Sequence, residues 1–181
     1  MYCSDSHGTD IDHFWPKSAY PSKMLVWPNL LLCCTQCGRH KGAQFPLDQD
    51  RPLLIDPTAD NPWEFLEFEP RTGILTMRYA ADGSPNVRGH HTVSILRLDG
   101  QREAVSKGYI RSFRRLKATV ERFLEAPSEA NQLIMDLREA DEHGLIGWIL
   151  TGSGQHDRPF ADLRERHPAI WSTVMASEEA C

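Results

Sequence analysis

Residues 27–42 read WPNLLLCCTQCGRHKG. The apolar run Trp27–Cys33 predicts a short strand, because β-branched or bulky apolar residues bounded by turn formers fit a half-buried pleated surface. Cys34 and Cys37 follow as a C-x2-C knuckle, a spacing that lets two thiolates hold one tetrahedral zinc ion. A short helix is expected from about Gly38. Cys33, just before the knuckle, reads as a small strand hydrophobe.

Upstream of this stretch lie the other candidate ligands. Cys3 is a third thiol, and Asp10–Phe14 predicts a second short strand carrying Asp12 beside His13. Four of the five cysteines fall in the first 37 residues. That clustering and odd count suit metal better than a secreted disulfide framework. Seven of the twelve prolines lie between Pro16 and Pro62. Proline removes a donor and fixes φ, so this region is expected to be loops and short elements needing a staple.

The pattern YC…DIDHFWPK…WPNLLLCCTQCGRHKG…FP resembles the HNH endonuclease family, whose ββα-metal fold holds one divalent ion for phosphodiester cleavage. GTDIDHFWPKS, FPL and the downstream LIDPT…PW resemble, within it, the bacterial anti-phage defence HNH proteins of Septu-like systems. The first fifty residues carry the specific motifs. The resemblance implies a Mg²⁺- or Mn²⁺-dependent endonuclease acting on DNA, double-stranded by expectation, with a structural Zn²⁺ and an ATPase partner. It implies His13 as general base, Asp12 as ligand of the catalytic metal, and Asn29 as the residue that ties the loop and orients His13. Lys41 holds the family's basic position, and Arg39, Lys41 and Lys17 are expected to meet phosphate.

The residue types suit that chemistry. Water is a poor nucleophile at neutral pH, and a histidine can take its proton. A divalent cation can hold the phosphate and stabilise the leaving oxygen, and a carboxylate such as Asp12 is a natural hard-oxygen ligand for it. Neighbouring residues on a strand point to opposite faces. Asp12 and His13 therefore share a site only where the strand ends or bends.

Two positions depart from the family pattern. Gly38 stands where the family places His or Asn as the second catalytic-metal ligand. Either His40 substitutes, or water completes the Mg²⁺ shell, or the nuclease is impaired. The zinc set of Cys3, Cys34 and Cys37 is one ligand short of the family's two C-x2-C pairs. A cysteine codon immediately before Met1, His7 or Cys33 would each supply a fourth.

Beyond Pro57 the texture changes. WEFLEFEPRTGILTMRY predicts two strands around an Arg71-Thr72-Gly73 turn, and HHTVSILRLD a third. From Gln101, Ile110, Phe113, Leu116, Val120 and Phe123 step by three or four along one helix face. Further helices are expected around Glu129–Asp141 and Pro159–Met175. Trp148 and Trp171 are expected in the core, and His90, His91 and the loop at 151–157 at the surface. The class is α+β. An N-terminal ββα-metal module over 1–50 precedes a small strand region and a helical C-terminal part over 51–181 that could dock a partner.

Charge is uneven. The net −5 hides seven basic and two acidic residues over 101–124, against four and eleven over 125–181. Arg111, Arg114, Arg115 and Lys117 could follow a DNA backbone or form a solvated helix face. No apolar run is long enough to span a membrane, and the N-terminus has no signal-peptide pattern, so the cytoplasm is expected. The competing class is a non-catalytic zinc module that binds nucleic acid or protein.

Overall fold

A computed structural model describes residues 2–3, 8–100 and 103–179. It is α+β, and the chain divides into two compact units. The first comprises residues up to Glu69 and Ile74–Val105, and the second Pro70–Gly73 and the residues from Ser106 onward. The first unit therefore extends well past residue 50, where the module was expected to end.

That unit begins with β1 (Asp10–His13) and β2 (Leu30–Cys33), an antiparallel pair in the register Asp10↔Cys33, Ile11↔Leu32, Asp12↔Leu31 and His13↔Leu30. The expected second strand is shorter than Trp27–Cys33. Pro28 has no N–H to give a ladder, and Trp27–Asn29 forms a single 3-10 turn instead. The helix α1 (Thr35–Lys41) starts three residues earlier than expected. Cys34 is its N-cap, with Sγ accepting from the Cys37 N–H at 3.4 Å, so the knuckle nucleates the helix. Gly42 ends α1 at φ 49°, a left-handed conformation suited to glycine.

Four short strands follow. β3 (Leu47–Asp48) and β4 (Arg51–Pro52) form a minimal hairpin, and β5 (Leu66–Glu69) pairs with β6 (Ile74–Met77) across the expected turn. The predicted third strand is a helix, α2 (Val87–Leu96). Its buried residues, Gly89, Thr92, Val93 and Leu96, fall at helical spacing. Asn86 caps it by accepting from the Gly89 N–H. At Gly89 an added Cβ would lie 2.2 Å from the Phe65 carbonyl, so only glycine lets α2 approach β5 this closely. His90 and His91 thus sit on a helix rather than in a loop.

The second unit is helical. It holds most of α3 (Glu103–Glu125), then α4 (Ala130–Ala140), α5 (Leu145–Thr151), α6 (Phe160–Arg166) and α7 (Pro168–Glu179). Phe113, Leu116, Val120 and Phe123 of α3 are buried, as the periodicity predicts, and so are Trp148 and Trp171. Phe113 meets Trp148 edge-on at 5.8 Å. The expected single helix over Pro159–Met175 is two helices, because proline at 168 disfavours helical backbone at His167. α5 was not expected. Asp141 sets its start by accepting from the N–H groups of Leu145 and Ile146. Among the described residues, no helix is long and apolar enough to cross a membrane.

Candidate metal and catalytic site

Three thiols converge in the first unit. The Sγ atoms of Cys3, Cys34 and Cys37 lie within 4.8 Å of one another, all buried, and Cys3 and Cys34 are 3.7 Å apart. A Zn–S bond of about 2.3 Å gives a tetrahedral sulfur–sulfur edge of about 3.8 Å, so the donor set fits a structural metal such as zinc. Thiols lose their protons when they bind a metal. Cys37 is pushed above its ordinary range, first by its hydrogen bond with Cys3 and then by burial. A divalent ion would release those protons, so binding would weaken as pH falls. Cys33 stands apart from this group, buried on β2, and His7 lies outside the described residues.

The end of β1 is held by buried polar contacts. Asn29, only 4% exposed, accepts from the Trp15 N–H at 2.7 Å and donates through Nδ2 to the carbonyls of Trp15 and Lys23. One amide therefore ties the exit of β1 to the loop before β2. Phe14, Trp15, Tyr20 and Phe45 stack around that exit, with ring centroids 4.6–5.2 Å apart for Trp15–Phe45, Trp15–Tyr20 and Phe14–Phe45. His13, the last residue of β1, has Nε2 3.0 Å from the Met24 carbonyl. A carbonyl only accepts, so this bond places the proton on Nε2 and leaves the lone pair on Nδ1. A half-exposed histidine so oriented can accept a proton through Nδ1.

Asp12 faces the other way, toward α1. Its Oδ2 lies 3.0 Å from Lys41 Nζ, close enough for an ion pair but out of line for a hydrogen bond. Lys41 is 0% exposed and donates to the His13 carbonyl at 2.6 Å. Lys41 is thus placed differently from an exposed phosphate contact. Its ammonium pairs with the partly buried Asp12 carboxylate and is itself closed to solvent. Arg39 and Lys17 are exposed, as a phosphate contact requires.

His40 is also placed differently from expectation. One residue turns a helix about 100°, so His40 and Lys41 cannot both face Asp12. Lys41 does, while His40 donates from Nδ1 to the Leu96 carbonyl at 3.1 Å and borders the small cavity at Cys3, Cys34 and Cys37. Gly38 adds no donor. A Cβ there would lie 3.2 Å from Cys33 Sγ, so the thiol already fills part of the space for a side chain at 38. Sequence reasoning missed the Lys41–Asp12 pair and the Met24 carbonyl. A backbone acceptor leaves no residue signature, whereas a lysine on the buried face of an amphipathic helix was a usable signal.

In the second unit, Arg115 pairs with Glu142 and also reaches the Glu139 carbonyl. Arg111 and Arg114 are exposed on α3. Part of the basic run is thus committed to holding α4's end.

With the knuckle, the paired strands and the His13 tether in place, comparison with known proteins is informative. The chain is similar to the Septu protein PtuB. It is 27% identical to that of Bacillus thuringiensis over 136 residues, covering 72% of this chain and 48% of the relative. It is 32% identical to that of Bacillus mycoides (strain KBAB4), covering 38% of this chain and 32% of the relative. The chain spans half or less of the length of these PtuB proteins. No family profile matches it, and no solved structure does.

Proposed function

We propose that this protein is a metal-dependent HNH endonuclease of anti-phage defence, acting on DNA together with an ATPase partner. The observation that carries the reading is the tethered His13, whose Nε2–H is held by the Met24 carbonyl so that Nδ1 is free to act as general base. A structural histidine has no need of a half-exposed, pre-set lone pair. The similarity to PtuB proteins supports the defence setting and the partner.

Each residue then has a defined task. His13 Nδ1 takes the proton of the attacking water, and Asn29 keeps the β1 exit and the Lys23–Trp27 loop in register so that His13 stays aimed. Asp12 is the hard-oxygen donor available for Mg²⁺ or Mn²⁺, in competition with Lys41. The metal, when bound, would stabilise charge on the phosphate and leaving oxygen. Lys17 and Arg39 are placed to contact the backbone. Cys3, Cys34 and Cys37 hold the structural zinc that fixes α1 against the strands. The cytoplasm suits such a reduced-thiol site.

A second reading has its own observation. Gly38 supplies no ligand, His40 faces the cysteines, and Asp12 already has a cation. These features suit a zinc module that binds nucleic acid or protein without cutting. Supercoiled-plasmid cleavage with Mg²⁺ or Mn²⁺, with and without the ATPase, separates the two. The nuclease reading expects metal-dependent cutting that His13→Ala abolishes. Absence of cutting under all these conditions, in a folded protein that binds DNA, establishes the second reading.

A further inference from the structure

The Lys23–Trp27 loop presents apolar surface that the fold does not use. Leu25 is 84% exposed and Trp27 83%, with Met24 and Val26 open beside them. Large apolar side chains grouped at a surface mark a binding site. The support beneath them is nevertheless fixed. The Lys23 carbonyl accepts from Asn29 Nδ2, the Met24 carbonyl from His13 Nε2, and the Val26 carbonyl from the Asn29 N–H. Trp27 is an exposed indole on a pinned backbone.

Two observations say what covers it. The first is charge. From His13 to Leu47 the chain contains no Asp or Glu, yet it holds Lys17, Lys23, Arg39 and Lys41, in a protein with 25 acidic residues and a net charge of −5. Lys41 is spent on Asp12, which leaves Lys17, Lys23 and Arg39 as the cations of this stretch. Lys23 Nζ sits 4.1 Å over the Trp15 ring, on the loop itself. The second is position. His13 is hydrogen-bonded to this loop, and Ile11 and Leu32, exposed on the same hairpin face as His13, extend the apolar surface toward it. A group bound at His13 would therefore sit beside the loop that carries Leu25 and Trp27.

We propose that Trp27 and Leu25 form a stacking platform for nucleobases, Trp27 receiving an unstacked base next to the phosphate that His13 addresses. Lys17 and Lys23 flank the strand's backbone. Aromatic–base stacking tolerates any base sequence, because every base has a π-face. The site therefore selects single-stranded or locally unpaired DNA rather than a base order. This inference rests on the His13 reading for its position, but its binding test does not require cleavage.

The experiment uses the full chain without added Mg²⁺ or Mn²⁺, so that His13 keeps its bond to the loop and substrate stays intact, with a short fluorescein-labelled single-stranded DNA and its duplex as probes. Trp27→Ala should weaken single-strand binding about tenfold or more by anisotropy. Trp27→Phe should restore most of it, and DNA should quench less tryptophan emission once Trp27 is gone. Thermal midpoints should match, since the side chain is exposed. Equal affinity and equal quenching in Trp27→Ala overturn the platform, whether or not the wild-type protein cuts plasmid. So does loss of ATPase co-purification in Trp27→Ala with DNA binding intact, which would assign the surface to a protein. If no variant cuts but single-strand binding depends on Trp27, the platform stands and the nuclease reading falls.

Discussion

The two units of this protein are held together by different means. In the helical unit the work is done by apolar side chains at regular spacing, with Phe113, Leu116, Val120, Trp148, Phe160 and Trp171 buried. In the first unit much of the chain is short strands, turns and proline-rich connections, and buried polar groups fix it. Asn29, Lys41 and Thr92 are each under 5% exposed, and each bonds to the backbone of a segment distant in sequence. A regular helix satisfies its own backbone, whereas irregular chain must find partners for every N–H and C=O. The polar tethers are the solution, and the cysteine cluster adds a second.

The largest expected effect breaks the first unit alone. Structural zinc contributes on the order of 10 kcal/mol in small modules. Cys37→Ser should therefore remove bound metal, measured by native mass spectrometry, and abolish the first unit's cooperative thermal transition. Far-UV helix signal from the second unit should persist. If metal content and melting are unchanged, the cysteines are not what staples this region.

A core truncation should show the reverse. Trp148 is 1% exposed and central to the helical unit, so Trp148→Ala should cost about 3–5 kcal/mol in chemical denaturation. Zinc content should be unaffected. A small loss would show that the helices owe less to apolar packing than their pattern implies.

The smallest effect tests one polar tether. Arg88 bonds Asp60 and the Leu54 carbonyl, joining the segment before β5 to α2. Burial of Asp60 disfavours its charge, but the Arg88 and backbone hydrogen bonds outweigh it and hold the carboxyl below its usual range. A depressed folded pKa adds stability above the unfolded pKa of about 4, and that stability is lost as pH falls through the folded value. Asp60→Asn should thus cost about 1–3 kcal/mol at neutral pH, with the gap from wild type closing below about pH 4. A pH-independent gap would mean packing, not charge, is what the substitution removes.

The same contrast explains what could be read from the sequence. α3 was legible because five apolar residues repeat at helical spacing, and β5–β6 because alternation flanks a Thr-Gly turn. α2 was not, since Thr92, Val93 and Ile95 suggest a strand by propensity. Tertiary packing of Gly89, Val93 and Leu96 decides otherwise. At the site, the thiols and the Asp12–His13 pair stood out by spacing. The roles of Lys41 and His40 did not, because they depend on where α1 begins. That start is set by a thiol cap, which ordinary capping rules do not anticipate.

The contact between Gly38 and Cys33 couples the side chains that the two positions can hold. Any side chain gained at 38 would press on the Cys33 sulfur, since its Cβ would already lie at 3.2 Å. An Asn or His there therefore requires the Cys33 thiol to give way by a few tenths of an ångström. Attempts to re-create a ligand at 38 should begin from Cys33→Ala, which removes the sulfur that such a side chain would press on.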